Sequence, residues 1–120
     1  MTTRRMSARL AGIALLAAAV TYVVPATPAS AACGQGWSDR SSRTAVVTAN
    51  GVRYRTGPHT SCTAYGQVNR GVTAYLDCAT RGDTVNGIAV WWHVRFSTGG
   101  SGFISGAYLN PWVQYTTENC

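Results

Sequence analysis

Three short segments concentrate the side chains able to do chemistry: Val52-Arg53-Tyr54-Arg55-Thr56-Gly57-Pro58, Trp91-Trp92-His93-Val94-Arg95-Phe96 and Gly102-Phe103-Ile104-Ser105-Gly106-Ala107-Tyr108-Leu109. The chemistry they suit is non-covalent recognition. Trp and Tyr offer large, stiff, amphipathic contact area at low entropic cost, and such residues commonly dominate binding surfaces. Trp91 and Tyr108 are the leading candidates, with Tyr54 as a third aromatic wall. On an extended strand Trp92, Val94 and Phe96 share one side and suit the core, whereas Trp91, His93 and Arg95 share the other. That second side sets an aromatic ring among polar groups, where His93 and Arg95 can meet a peptide carboxylate. Two plainer readings stay open: Trp91 closes the end of a barrel, and His93 is merely exposed to solvent.

Catalysis finds no comparable support. A cysteine nucleophile needs a free thiolate beside a positioned histidine, yet the four cysteines, Cys33, Cys62, Cys78 and Cys120, form an even set suited to disulfides. Ser61, His59 and Asp77 can be grouped into a triad on paper, but no G-x-S-x-G elbow accompanies them. The four acids, Asp39, Asp77, Asp83 and Glu118, are scattered, which does not suit paired carboxylates for sugar hydrolysis. No two cysteines have the close spacing of a zinc knuckle, and both histidines lie apart from them. Neither an enzyme activity nor a metal or cofactor is expected.

These segments must be positioned by a small exported chain. Residues 1–31 read as a secretory signal peptide: Arg4, Arg5 and Arg9 precede an uncharged apolar run from Leu10 to Val24, and Ala29-Ser30-Ala31 offers small residues for cleavage. The run is shorter than a membrane span and is interrupted by Thr21, Tyr22 and Pro25. The expected location is therefore extracellular, free or associated with the cell wall, with no membrane contact after cleavage. Three of the ten basic residues leave with the leader while all four acids stay, so the remainder carries a net charge of about +3. Its arginines are scattered, with only Arg53 and Arg55 forming a close same-face pair, which gives nucleic-acid binding no footing.

Roughly 89 residues remain, near the lower end of the size that buries its own core, so disulfide staples are expected. Three connectivities are open. The expected one is Cys62–Cys78, tying a loop to a neighbouring strand, with Cys33–Cys120 joining the two tails. Residues 32–43 read as a polar N-terminal extension relieved only by Trp37, residues 44–112 as the domain, and residues 113–120 as a C-terminal tail. Short β-prone runs cover 45–49 and 52–56 around the tight-turn signal Asn50-Gly51. A run follows at 64–69, then a half-buried strand over 72–79 in which Val72, Ala74 and Leu76 alternate against Thr73, Tyr75 and Asp77. Arg81 to Gly87 is a turn-rich hairpin region, Trp91–Phe96 the clearest strand, and 98–102 a turn into Phe103-Ile104. Ala107-Tyr108-Leu109 suits one helical turn before a last strand that ends at Pro111. The fold class is all-β, a small, partly open barrel.

The same segments resemble the bacterial SH3 (SH3b) domains of exported proteins. Val52–Pro58 is similar to that family's opening L-N-V-R-S-G-P, with Arg53 in place of the usual Asn and Tyr54 in place of an aliphatic residue. Trp91 and Val94 match its W-x-x-V strand, and Gly102–Leu109 is similar to its closing G-W/Y-V-x-x-x-Y-L. The resemblance covers about Thr44 to Leu109. It implies an SH3-like barrel that binds an extended ligand without covalent chemistry, for many members the peptidoglycan of the cell wall, through its stem or cross-bridge peptide. The Trp91-Trp92 pair and the closing segment also resemble eukaryotic SH3 domains, where the first Trp and the late Tyr line the peptide groove. Within the family the arginine at position 55 is also a brace for the following loop. The Cys62–Cys78 spacing is similar to that of secreted actinobacterial members in which that pair is bonded. The other function class that the chain suits is a secreted protein that engages another protein, such as an inhibitor or a surface-assembly subunit. For an inhibitor, His59 to Thr63 is the candidate loop.

Overall fold

A computed structural model describes residues 33–112 and 117–120; the expected leader and residues 113–116 of the expected tail lie outside the described residues. Seven strands follow in chain order: β1 (Thr44–Val47), β2 (Val52–Arg55), β3 (Ala64–Val68), β4 (Thr73–Val85), β5 (Ile88–Phe96), β6 (Ser101–Ser105) and β7 (Leu109–Asn110), with a 3-10 turn over Gly106–Tyr108 before β7. All are antiparallel neighbours in one curled half-barrel sheet of order β3-β2-β6-β5-β4-β1-β7. The all-β expectation holds, and so does the helical turn near Tyr108.

The barrel interior follows the period-2 rule. Val47, Val52, Ala74, Leu76, Val94, Phe96 and Ile104 are buried in a single apolar cluster, and Trp92 lies at its centre with no exposed surface. Fully burying a side chain of this kind contributes about 1.5–3 kcal/mol. The hairpin between β4 and β5 turns at Asn86-Gly87, where both residues take positive φ (48° and 82°). That is the backbone a two-residue hairpin loop demands, and an Asn-Gly pair supplies it with little strain. Asn50-Gly51 carries the same sequence signal but closes no hairpin. β1 pairs with β4 and β7, whereas β2 pairs with β3 and β6. The turn is a corner between two parts of the sheet, clasped to the Asn69-Arg70 turn by Gly51 N–H donating to Asn69 Oδ1 (2.9 Å) and Arg70 N–H donating to Asn50 Oδ1 (3.1 Å).

One irregularity changes the outer surface. Leu76 opposes Val94 and Cys78 opposes His93, so β4 advances two residues while β5 advances one. The extra residue of this β-bulge is Asp77. A bulge reverses which side chains face inward beyond it: Ala74 and Leu76 belong to the core before it, Ala79 after it. The alternation expected over 72–79 holds through Asp77, which lies opposite the core as expected but is fully buried there, and it breaks between Asp77 and Cys78. Cys78 is turned to the side of His93.

That reversal also overturns the expected disulfides. The pairs are Cys33–Cys62 and Cys78–Cys120, with Cα atoms 5.5 and 4.9 Å apart. Cys78 meets the end of the chain because residues 118–120 lie along β4, with Ala79 N–H donating to Glu118 O (2.8 Å) and Cys120 N–H donating to Ala79 O (2.9 Å). Cys62, on the loop between β2 and β3, meets Cys33 where the chain enters the domain. Each tail is thus fastened to the sheet rather than to the other tail. Two disulfides accord with an oxidising environment, and among the described residues no helix is long and apolar enough to cross a membrane.

Peptide mapping without reduction is expected to recover Cys33 linked to Cys62 and Cys78 linked to Cys120. Replacing Cys78 and Cys120 by Ala should lower the unfolding free energy by about 2–4 kcal/mol in denaturant titration.

Candidate functional site

The residues proposed for binding do not gather at one place. Trp91, Tyr108 and Arg55 line a groove of about 320 Å³, together with Arg53, Thr60 and the Ala49–Val52 corner. Tyr54 and His93 line a separate cleft. Arg95 lies in neither.

The groove is built on β2, the start of β5 and the 3-10 turn. Trp91 is not the exposed ring expected on the solvent side of β5; it is only 2% exposed, and its indole N–H donates to the Asp83 carbonyl (2.8 Å). Both tryptophans of the pair are therefore buried, one on each side of the strand, and Trp91 contributes little exposed surface to the groove. Beside it, the loop from Gly57 to Thr63 is pinned to β4 by the Asp83 carboxylate. Asp83 accepts from Thr60 N–H (2.9 Å) and the Thr60 hydroxyl (3.1 Å) and is 2.7 Å from His59 Nδ1. These hydrogen bonds, His59 first, hold the Asp83 carboxyl below the usual carboxylate range. The approach is so close that a Cβ on Gly82 would overlap the Pro58 carbonyl, which is why that position carries glycine. Arg55 braces the same loop, its Nη1 donating to Cys62 O (2.9 Å). Arg53 is exposed and has no hydrogen-bond or ion-pair partner among the described residues. Tyr108 is half-buried and packs on the core, held by the turn that Ser105 caps through Ala107 N–H (3.1 Å).

The far end of that β5 face carries an ionic network centred on the buried Asp77 and His93, with Arg95 and Asp39 at its exposed rim. Asp77, on the same outer side of the sheet, accepts from Arg95 Nε (2.8 Å) on Oδ1, while its Oδ2 lies 2.8 Å from His93 Nδ1. Arg95 Nη2 also reaches Asp39 (3.2 Å), and the guanidinium lies 5.9 Å from the centre of the Tyr75 ring. His93 is not exposed. Trp37 of the N-terminal segment stacks on it, ring centres 3.8 Å apart and planes 11° from parallel, and Phe103 meets its edge. The N-terminal extension is tied to the sheet by Cys33–Cys62, by Gly34 N–H to Thr56 O (3.0 Å) and by Arg40 N–H to Asp77 O (2.8 Å). His93 and Arg95 are both engaged by Asp77, His93 buried and Arg95 with part of its side chain exposed. The paper triad is not assembled either, since His59 partners Asp83 while Asp77 partners His93 and Arg95. Among the described residues no group of three or more His, Cys, Asp or Glu is placed to hold a metal ion.

Reading the sequence missed Trp37 and Tyr65, both well exposed, as cleft residues. The signal for Trp37 was present, since it is the lone large apolar residue in a polar run. Arg53 was visible as the same-face partner of Arg55. Comparison of the chain with family models, with curated proteins and with solved structures finds no match to any of them.

Burial pushes the His93 imidazole below the ordinary histidine value, against the opposing pull of Asp77. A histidine lowered in the folded state contributes its stability fully above the unfolded value of about 6.5 and loses it as pH falls below that value. The unfolding midpoint is expected to drop between about pH 7 and 5, with a shallower drop in His93→Gln; equal slopes in the two proteins would place the sensitivity elsewhere. Trp91→Ala should cost about 3–5 kcal/mol of stability in denaturant unfolding, as for other deeply buried rings.

Proposed function

We propose that the domain is a non-catalytic binding module of an exported protein and that it takes an extended peptide, in particular the peptide of cell-wall peptidoglycan, in the groove beside Trp91 and Tyr108. The observation that carries this reading is the groove itself. It is about 320 Å³ in volume, inside the usual small-ligand range of about 300–1,000 Å³, and its walls combine aromatic surface with two arginines. Arg53 stands free of internal partners among the described residues, which suits it to a ligand carboxylate through charge-assisted hydrogen bonds. Arg55, spent partly on Cys62 O, keeps the adjoining loop in place. The groove is prearranged by the Asp83 contacts, so little ordering cost falls on binding.

The motif resemblance to bacterial SH3 domains runs through the same elements, since β2, β5 and the 3-10 turn carry its three segments. The signal-peptide pattern and the disulfides support export. A second reading, an inhibitor or other protein-binding factor, is favoured by one observation. The loop from His59 to Thr63 exposes Thr60, Ser61 and Thr63 while Cys62, Asp83 and Arg55 hold it rigid.

Co-sedimentation of the oxidised domain with purified peptidoglycan tests the first reading. Retention is expected to survive high salt and to weaken by about 1–3 kcal/mol in Tyr108→Ala and in Arg53→Glu. Unchanged retention in both variants removes the groove from the account. Failure to sediment at all, with a defined secreted protein co-purifying instead and losing contact on Ser61→Arg, selects the second reading.

A further inference from the structure

A second concavity lies on the side of the sheet where the N-terminal segment crosses it. Its larger part, about 400 Å³, is lined by Trp37, Tyr54, Tyr65, His93, Gly100 and Ser101. A smaller part of about 120 Å³ shares Trp37, Tyr65 and His93 with it and adds Gln35, Thr56 and Phe103 among its walls. Two of the aromatic rings are strongly exposed, Trp37 at 47% and Tyr65 at 66%. Aromatic side chains left this open have the surface of a binding site rather than of a core.

The cleft is built, not incidental. A Cβ on Gly66 or on Gly100 would collide with the Tyr54 hydroxyl, and one on Gly102 would press on both the Tyr54 and Tyr65 rings. Three glycines therefore let two tyrosine rings lie against backbone, and Tyr54 is wedged further by Phe96, 4.9 Å away between ring centres. Trp37 is fixed from beneath by His93 and at both ends of its segment by the Cys33–Cys62 bond and by Arg40 N–H to Asp77 O. Rigid rings lose little entropy when a ligand settles on them.

Charge narrows the ligand. Arg55 is the one charged side chain lining either part, and its Nη1 already serves Cys62 O. A cation would face Arg55 and a chain of positive net charge. An anion would find no cation there free of an internal partner, since Arg55 serves Cys62 O and His93 Nδ1 lies 2.8 Å from Asp77 Oδ2. The other ring nitrogen of His93, Nε2, has no hydrogen-bond partner among the described residues, although the side chain is only 5% exposed. A buried polar nitrogen without a partner calls for a hydrogen-bonding group from the ligand, and a hydroxyl can donate or accept. Flat aromatic faces, neutral polar groups from Gln35, Ser101 and the two tyrosines, and a ring nitrogen that a hydroxyl can meet describe one chemistry. A pyranose ring offers apolar C–H faces to stack on Trp and Tyr and hydroxyls around its rim. We propose that the cleft of Trp37, Tyr65, Tyr54 and His93 is a binding site for a neutral oligosaccharide, separate from the peptide groove although Arg55 lines both.

The test is an NMR titration of the oxidised protein with a β-1,4-linked tetramer of N-acetylglucosamine at low and high salt. Expected are saturable shifts at Trp37, Tyr65 and His93, insensitive to salt because no ion pair forms. Affinity should fall about tenfold or more in Tyr65→Ala and in Trp37→Ala, and stay unchanged in Arg53→Glu. Tyr65 is exposed on an edge strand, so its removal leaves the fold intact even where loss of Trp37 loosens the N-terminal segment. Absence of saturable shifts, shifts confined to the groove, or full affinity in Tyr65→Ala each overturns the proposal. Shifts at the same residues with choline but not with the tetramer overturn it as well, by assigning the cleft to cations. Weaker peptidoglycan retention in Arg53→Glu with the saccharide response intact separates this site from the groove.

Discussion

A carboxylate removed from water has to be matched where it lies, and Asp77 shows how much structure that requirement organises. Leaving such a charge unpaired would cost several kcal/mol. The bulge in β4 leaves Asp77 on the outer side of the sheet, beside a β5 whose outward side chains at that point are His93 and Arg95, and both engage it. Arg95 then reaches Asp39, the Asp77 carbonyl takes the Arg40 N–H, and Trp37 closes over His93. Arg95 is held more firmly charged by its contact with Asp77. The N-terminal segment therefore takes its path from the need to surround one acid.

The outcome is a β5 strand buried on both sides over most of its length, unusual for a small antiparallel sheet with a solvated outer face. Its inner side packs the barrel through Trp92, Val94 and Phe96. Its outer side is covered by the terminal segments and the loop after β2, with Trp91, His93 and Phe103 enclosed. What remains accessible is shifted to the margins of this covering. One margin, by β2 and the 3-10 turn, is the arginine-bearing groove; the other, by β3 and the N-terminal segment, is the neutral aromatic cleft.

Local pattern made the barrel legible in the sequence. Strand alternation around Trp92 and Val94, the glycine-rich turn before Phe103 and the short turn at Tyr108 depend on neighbours along the chain, and all appear where the period and the turn residues put them. Asp77 shows where that reasoning stops. A bulge is decided by pairing between strands, so the alternation through Leu76 and Asp77 continued on paper across a point where the sheet reverses it. The disulfide partners were lost for the same reason, because the side on which Cys78 emerges depends on the bulge. Trp91, His93 and Arg95 were correctly grouped on one side of β5, but what covers His93 comes from Trp37, about 55 positions earlier and beyond the reach of periodicity. Asn50-Gly51 and Asn86-Gly87 are alike as dipeptides, and only the strands around them decide which becomes a hairpin.

None of the four cysteine sulfurs belongs to the apolar cluster inside the barrel. Both covalent fastenings lie in the outer covering, each holding one terminal segment to the sheet. Inheritance can therefore act on the two parts at different rates. Substitutions in the interior are constrained by packing around Trp92, whereas the N-terminal segment can be lengthened, recomposed or exchanged so long as Cys33 still meets Cys62 and something still shields Asp77. A lineage can in this way change what the surface recognises while passing on the same barrel.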